Sequence, residues 1–262
     1  MRKYYPIFAS ICISLLIGGC TKKELQTNKP VDNIFISNGA VTTPVKSEKV
    51  IKAKIIKMQE NTILVADNEE EHGLYQVTLG KSMGDISQFS PGNLIEIGFD
   101  GLVLESYPAV IANPDYIRFL ETSDDFVGLY HNIFIKLFET DSALNSDIDF
   151  IALDLTEDEI LTPSEKNALL YLFWSATQIE TRLATFEDLL SENLITVDDS
   201  TGFAHLDTSI LFSMETSELD DASFKFTAEK WRSSLGSYVF YDCIARKNNG
   251  VWDYEIGSEM IS

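Results

Sequence analysis

Lys230-Trp231-Arg232-Ser-Ser-Leu-Gly236 is a basic, aromatic island in a chain with 41 Asp+Glu against 20 Lys+Arg. A guanidinium beside an indole can grip an acidic or sugar ligand by bidentate hydrogen bonds and stacking. The same residues can instead serve the fold, with Trp231 filling a core and Arg232 pairing with a carboxylate. Both readings stand, and Trp231 and Arg232 are candidate binding residues. The three histidines, His72, His131 and His205, share no short spacing, and no HExxH pattern occurs, so neither a metal site nor a catalytic histidine is expected. Asn145-Ser-Asp147-Ile-Asp149 begins like a calcium loop. Its sixth position is Phe150, where such a loop needs Gly, and its twelfth is Thr156 rather than Glu. Glu157-Asp158-Glu159 reads as a solvated acidic loop. Carboxylates are plentiful enough for an acid/base dyad, but a dyad needs a defined separation and split pKa values, which spacing does not supply. No catalytic residue, cofactor or metal ligand is assigned.

The elements that would position these residues divide the chain at about residue 121. Residues 47–121 read as short strands: Val50–Met58, Ile63–Ala66, Leu74–Leu79, Leu94–Phe99, Leu102–Tyr107 and Tyr116–Leu120. Ser90-Pro-Gly-Asn93 is a turn, because Pro presets φ and Gly accepts positive φ. Strands at this spacing suggest a closed sheet or barrel. Residues 122–262 read as an α+β unit. Phe126, Tyr130, Ile133, Phe134, Leu137 and Phe138 recur at helical spacing, with Ser123 or Asp124 able to cap. Asp147–Leu155 alternates like a strand, with Ile148, Phe150 and Ala152 on one face. Thr162-Pro-Ser-Glu165 is a capping box with Pro at the first helical position, followed by a buried stripe of Ala168, Leu169, Leu172, Phe173 and Ala176. Thr185-Phe-Glu-Asp188 starts a shorter helix. Strands are expected at Ile210–Met214, Ser223–Thr227, Tyr238–Arg246 and Val251–Ile256, the last two joined by an Asn-Gly hairpin. The fold class expected is α+β overall, a small OB-like β-barrel domain followed by an α+β domain.

"GNLIEIGFDGLVLESYPAVI", centred on Glu105-Ser-Tyr-Pro108, resembles the YobA-like domain family of unknown function, found in Gram-positive lipoproteins. The resemblance covers about 70 residues and implies a small OB-type barrel. It brings no established catalytic or binding residues. Glu105 and Tyr107 could line a ligand groove; alternatively Tyr107 packs and Pro108 ends a strand. The second half is similar to an uncharacterised α+β module of bacterial lipoproteins, through Ile151-Ala-Leu-Asp-Leu155 and Lys230-Trp-Arg-Ser-Ser-Leu-Gly236.

The N-terminus reads as an export signal. Arg2 and Lys3 precede Tyr4–Gly19, a nearly unbroken apolar or small run. As a helix it would be about 24 Å long at 1.5 Å per residue, short of the roughly 30 Å hydrocarbon core. Ile17-Gly-Gly-Cys20 resembles a bacterial lipobox. That implies a diacylglyceryl thioether on Cys20, cleavage of residues 1–19, and two acyl chains that hold the membrane stably. Residues 20–46, with Pro30 and Pro44, read as a tether. Cleavage takes Arg2 and Lys3 and no carboxylate, so the net charge of −21 becomes −23. Such a chain is repelled by phosphate backbones, and nucleic-acid binding is disfavoured. Cys12 leaves with the signal and Cys20 is acylated, so Cys243 has no thiol partner and reads as a small buried hydrophobe.

Together these features predict a chain lipid-anchored on the extracytoplasmic face of the cell membrane. It would serve as a binding module for an envelope protein or glycan. The alternatives are an acid-dyad hydrolase acting on cell-wall or carbohydrate material, and a sensor lipoprotein.

Overall fold

A computed structural model describes residues 47–70, 73–80, 86–217 and 219–262, with the backbone of 35–37. The signal segment, Cys20, most of the tether and His72 lie outside the described residues.

The chain first lays down seven strands: β1 (Phe35–Ser37), β2 (Lys49–Met58), β3 (Thr62–Asp67), β4 (Leu74–Thr78), β5 (Asn93–Phe99), β6 (Ala109–Ile111) and β7 (Pro114–Thr122). They form one curled sheet in the order β1-β7-β5-β2-β3-β4-β6, with β6 parallel to β4 and the other pairs antiparallel. Alternation along each strand fills the concave side. Ile51, Ala53 and Ile55 of β2 meet Ile63 and Val65 of β3, Val77 of β4, and Ile95 and Ile97 of β5 in one apolar core.

The opposite faces of the same strands are also apolar. Ile56, Leu64, Ala66 and Leu74 belong to a second, larger core, together with α1 (Phe126–Glu139) and α2 (Pro163–Thr177). This explains why β3 is buried at Ile63 through Asp67 without alternation: both faces are covered. Each helix begins on a side-chain cap. Asp125 accepts from the Gly128 N–H at 2.9 Å. Thr162 and Glu165 form the reciprocal box that their spacing predicts, with Pro163 at the first position.

The rest of the chain builds a second sheet. Its strands are β8 (Phe150–Asp154), β9 (Glu180–Leu183), β10 (Ile195–Val197), β11 (Ala204–Leu206), β12 (Ser209–Ser217), β13 (Ser223–Ser233), β14 (Gly236–Asn248), β15 (Val251–Glu255) and β16 (Ser258–Ile261). The order is β10-β11-β13-β12-β8-β9, with β14 on β13 and with β15 and β16 end to end along β14. β8 runs parallel to β12 and to β9, and α2 is the crossover between β8 and β9. One face of this sheet presents Ile210, Phe212, Phe224, Phe226 and Phe240 to the shared core. The other face carries a small core of Ala152, Leu189, Ile195 and Leu211 around α3 (Phe186–Ser191).

The α+β expectation is therefore overturned. Of the described residues 47% are in strands and 19% in helices, so the fold is mostly β: two sheets, the first a half-barrel rather than a closed barrel. The helices do not found a separate α+β domain, because their core is shared with the outer face of the first sheet. Short strands account for the error: β9, β10, β11 and β16 run only three or four residues, too few for alternation to mark a strand in sequence. Four local expectations also change. The cap of α1 is Asp125, not Ser123 or Asp124. Leu102–Tyr107 is a loop anchored by one Leu104–Val110 bridge, because Gly101 turns the chain at φ +83° before the segment can pair. Ile148 packs on the shared core, whereas Phe150 and Ala152 face the core around α3. Ala176 is exposed.

Among the described residues no helix is long and apolar enough to cross a membrane.

Candidate functional site

The Lys230-Trp231-Arg232 island lies inside β13, where alternation splits it between the two faces. Lys230 points into the shared core side with no exposed surface. Its ammonium donates to the carbonyls of Phe138 (3.3 Å), Thr140 and Asp141 (3.1 Å) and to Asn145 Oδ1 (3.3 Å). Burial pulls its pKa down to about 8. Arg232, two residues on, donates to the carbonyls of Leu144 (2.9 Å), Ser146 (2.6 Å) and Asp207 (2.7 Å). The expected carboxylate partner is replaced by three carbonyls. Together the two cations clamp the segment that follows α1. Trp231 faces the other way and packs against Phe186 of α3, ring centroids 5.2 Å apart. Its environment is a small core, and the island's charge is spent on backbone oxygens.

Glu105 and Tyr107 sit on the exposed loop before β6. Tyr107 is 64% exposed, and the loop carries it to the outer face of α2. Its hydroxyl donates to the Asn167 carbonyl at 3.4 Å. Its ring meets Tyr171 edge-on at 6.0 Å. Tyr171 in turn lies 5.8 Å from Trp174 at a tilt of 35°, and Trp174 is 43% exposed. The three rings form a floor (Tyr171, Trp174) and a wall (Tyr107). Contiguous exposed aromatic surface on a soluble body marks a contact site more often than isolated apolar residues do. Glu105 shares the exposed loop with Tyr107, whereas Trp231 and Arg232 belong to β13 and its own contacts, so the two candidate pairs are held by different elements. Tyr171 and Trp174 were missed in the sequence. Their signal lies in α2 itself: Trp174 falls outside the buried stripe of Ala168, Leu169, Leu172 and Phe173, and Tyr171 sits at its edge.

Beside Tyr171 lies a pocket of about 40 Å³ lined by Lys57, Gln59, Thr62, Leu64, Gln76, Leu172 and Ser175. It joins the outer face of the half-barrel to α2. Thr62 Oγ1 donates to Gln59 Oε1 at 2.8 Å, which leaves the Gln59 amide NH2 as its donor. Behind the pocket, His131 of α1 bonds the Leu172 backbone and feels the Lys57 charge; burial, first, and that charge push its pKa down.

A larger cleft of about 370 Å³ opens where β8 leaves the side of β12, lined by Asp154, Glu157, Asp158 and Ser213–Thr216. Two of its carboxylates hold the β8–α2 connection. Asp158 accepts from Tyr130 Oη at 2.5 Å and the Leu161 N–H at 2.8 Å, and Asp154 accepts from the Thr156 N–H at 3.2 Å. Among the described residues no group of three or more His, Cys, Asp or Glu is placed to hold a metal ion. Cys243 is fully buried in the shared core, and burial raises its pKa.

No family model matches the chain, and no curated protein or solved structure is significantly similar to it.

Proposed function

We propose that this chain is a binding module held at the outer face of a bacterial membrane by a lipid on Cys20, and that the Tyr107–Tyr171–Trp174 surface is its contact face. The resemblance of the lipobox and of the Glu105-Ser-Tyr-Pro108 region to lipoproteins of the YobA-like kind supports the anchor and the setting. The observation that carries the contact face is the ring trio itself: Tyr107 and Trp174 are exposed, Trp174 is in none of the core clusters, and the half-buried Tyr171 joins them from the edge of the shared core. A half-barrel with OB-like curvature supplies the rigid base, and loops and helix faces carried on such scaffolds are where binding residues gather.

Two measurements test this reading. Intact mass and fractionation of the native protein should show a diacylglyceryl adduct at Cys20 and membrane partitioning, both lost in Cys20→Ala. The full chain should also co-sediment with isolated cell envelopes stripped of lipid, where the anchor has nothing to enter, and Tyr171→Ala/Trp174→Ala should abolish that. Robust turnover of wall or carbohydrate substrates would replace this reading with the hydrolase, with Glu157 and Glu215 of the acidic cleft as its first suspects.

A further inference from the structure

The pocket beside Tyr171 differs in charge from three other clefts among the described residues. The clefts around Asp154, around Asp242 and around Asp253 each contain carboxylates. This one contains none, although the chain holds 41 Asp+Glu, and its only charged group is Lys57. Its floor is apolar, Leu64 and Leu172. Its rim offers two carboxamides, Gln59 and Gln76, and two hydroxyls, Thr62 and Ser175. A volume of about 40 Å³ admits roughly three waters or one group the size of an acetamide. An acetamido group has a methyl for such a floor, and an N–H and a carbonyl for such a rim. The adjoining Tyr171 and Trp174 faces suit the axial C–H face of a pyranose ring, and Tyr107 stands across them as a wall. Neutral sugar is also the ligand that a chain of net charge −21 does not repel.

We infer that this site binds an N-acetylated glycan, its ring carried on Tyr171 and Trp174 and its acetamido arm seated between Gln59 and Gln76. The inference rests on the contact face proposed above and names the ligand class for it.

The probe is chitohexaose, with cellohexaose as the same backbone lacking acetamido groups, each titrated calorimetrically into the purified full chain in detergent. Chitohexaose should bind and cellohexaose should bind about tenfold more weakly or not at all, as expected when the amide hydrogen bonds and the methyl contact are lost together. Trp174→Ala, verified as folded by circular dichroism, should weaken chitohexaose about tenfold or more. Gln76→Ala should erase the preference between the two sugars while keeping the residual ring binding. Equal affinity for both oligosaccharides overturns the inference. So does absence of oligosaccharide binding while envelopes still capture the chain through Trp174; that result leaves the contact face standing and points to a protein partner. Loss of envelope capture as well defeats both.

Discussion

Two aromatic and basic neighbourhoods of this molecule look alike in composition and differ in use. One is Lys230-Trp231-Arg232 on β13; the other is Lys57 with Tyr107, Tyr171 and Trp174 beside α2. On a central strand with both faces covered, every side chain is claimed. Lys230 and Arg232 are drawn to the open carbonyls after α1 and Trp231 to the core under α3. An α-helix packed on one side keeps an outer stripe, so Trp174 stays exposed and Tyr171, at the edge of the core with Tyr107 against it, stays half-exposed. The lesson concerns where function can be read: an aromatic beside a cation signals a ligand only when the element leaves both of them unspent.

The largest expected effect breaks the strand side of this comparison. Lys230→Met removes the donor to three part-buried backbone carbonyls, which should cost about 2–4 kcal/mol, read as a lower urea midpoint at unchanged slope. Envelope binding per folded molecule should not change. Stability equal to the parent would mean that the clamp is incidental and would reopen the island as a ligand site.

Next is the pair that seats α2. Lys54 Nζ lies 2.6 Å from Glu165 Oε1, with only 3% of the Glu165 side chain exposed, and the same carboxylate completes the helix cap. Lys54→Met should cost about 1–3 kcal/mol, because a buried carboxylate loses its counter-charge. Since α2 carries Tyr171 and Trp174, binding should weaken with it. In contrast, Trp174→Ala should change stability by less than about 1 kcal/mol while losing binding. The contrast between those two variants separates positioning of the surface from membership in it.

Much of the local structure was legible. The capping boxes at Thr162 and Thr185 form as spaced. The Asn249-Gly250 hairpin forms with both residues at positive φ, 52° and 83°, as that turn requires. Cys243 is the buried small residue its context implied. These features are readable because they are set within a few residues. The sheet partnerships were not, since β8 must find β12 some sixty residues away, and nothing in Phe150–Asp154 names that partner. The same holds for the surface. Tyr107 meets Tyr171 only because a half-barrel loop is carried to a helix face, and Lys230 meets the carbonyls after α1 across 89 residues. The sequence singled out Tyr107 and Arg232 alike; only tertiary placement tells them apart.

The pH response sharpens the helix side. Burial lowers the His131 pKa below its ordinary 6.5 in the folded state, so the unfolded chain binds that proton more readily. The stability it supports is therefore fully present above pH 6.5 and is lost as pH falls from 6.5 toward the folded value. Unfolding curves between pH 7 and pH 5 should fall less steeply for His131→Gln than for the parent. An identical slope would mean that this histidine titrates freely and does not back the pocket.

The smallest effect is expected at the wall of the surface. Tyr107 Oη reaches the Asn167 carbonyl at 3.4 Å in an exposed setting, where water substitutes for a long hydrogen bond at little cost. Tyr107→Phe should therefore shift stability by under about 0.5 kcal/mol and leave binding almost unchanged. Tyr107→Ala also removes the edge-on contact with Tyr171, worth about 0.5–1.5 kcal/mol for such a pair, and it opens one side of the platform. Binding should then drop while the fold persists. If Phe weakened binding as much as Ala, the hydroxyl rather than the ring would be the ligand's contact. The wall would then act as a hydrogen-bond donor to the bound group, and the distinction between spent and unspent side chains would rest on Tyr171 and Trp174 alone.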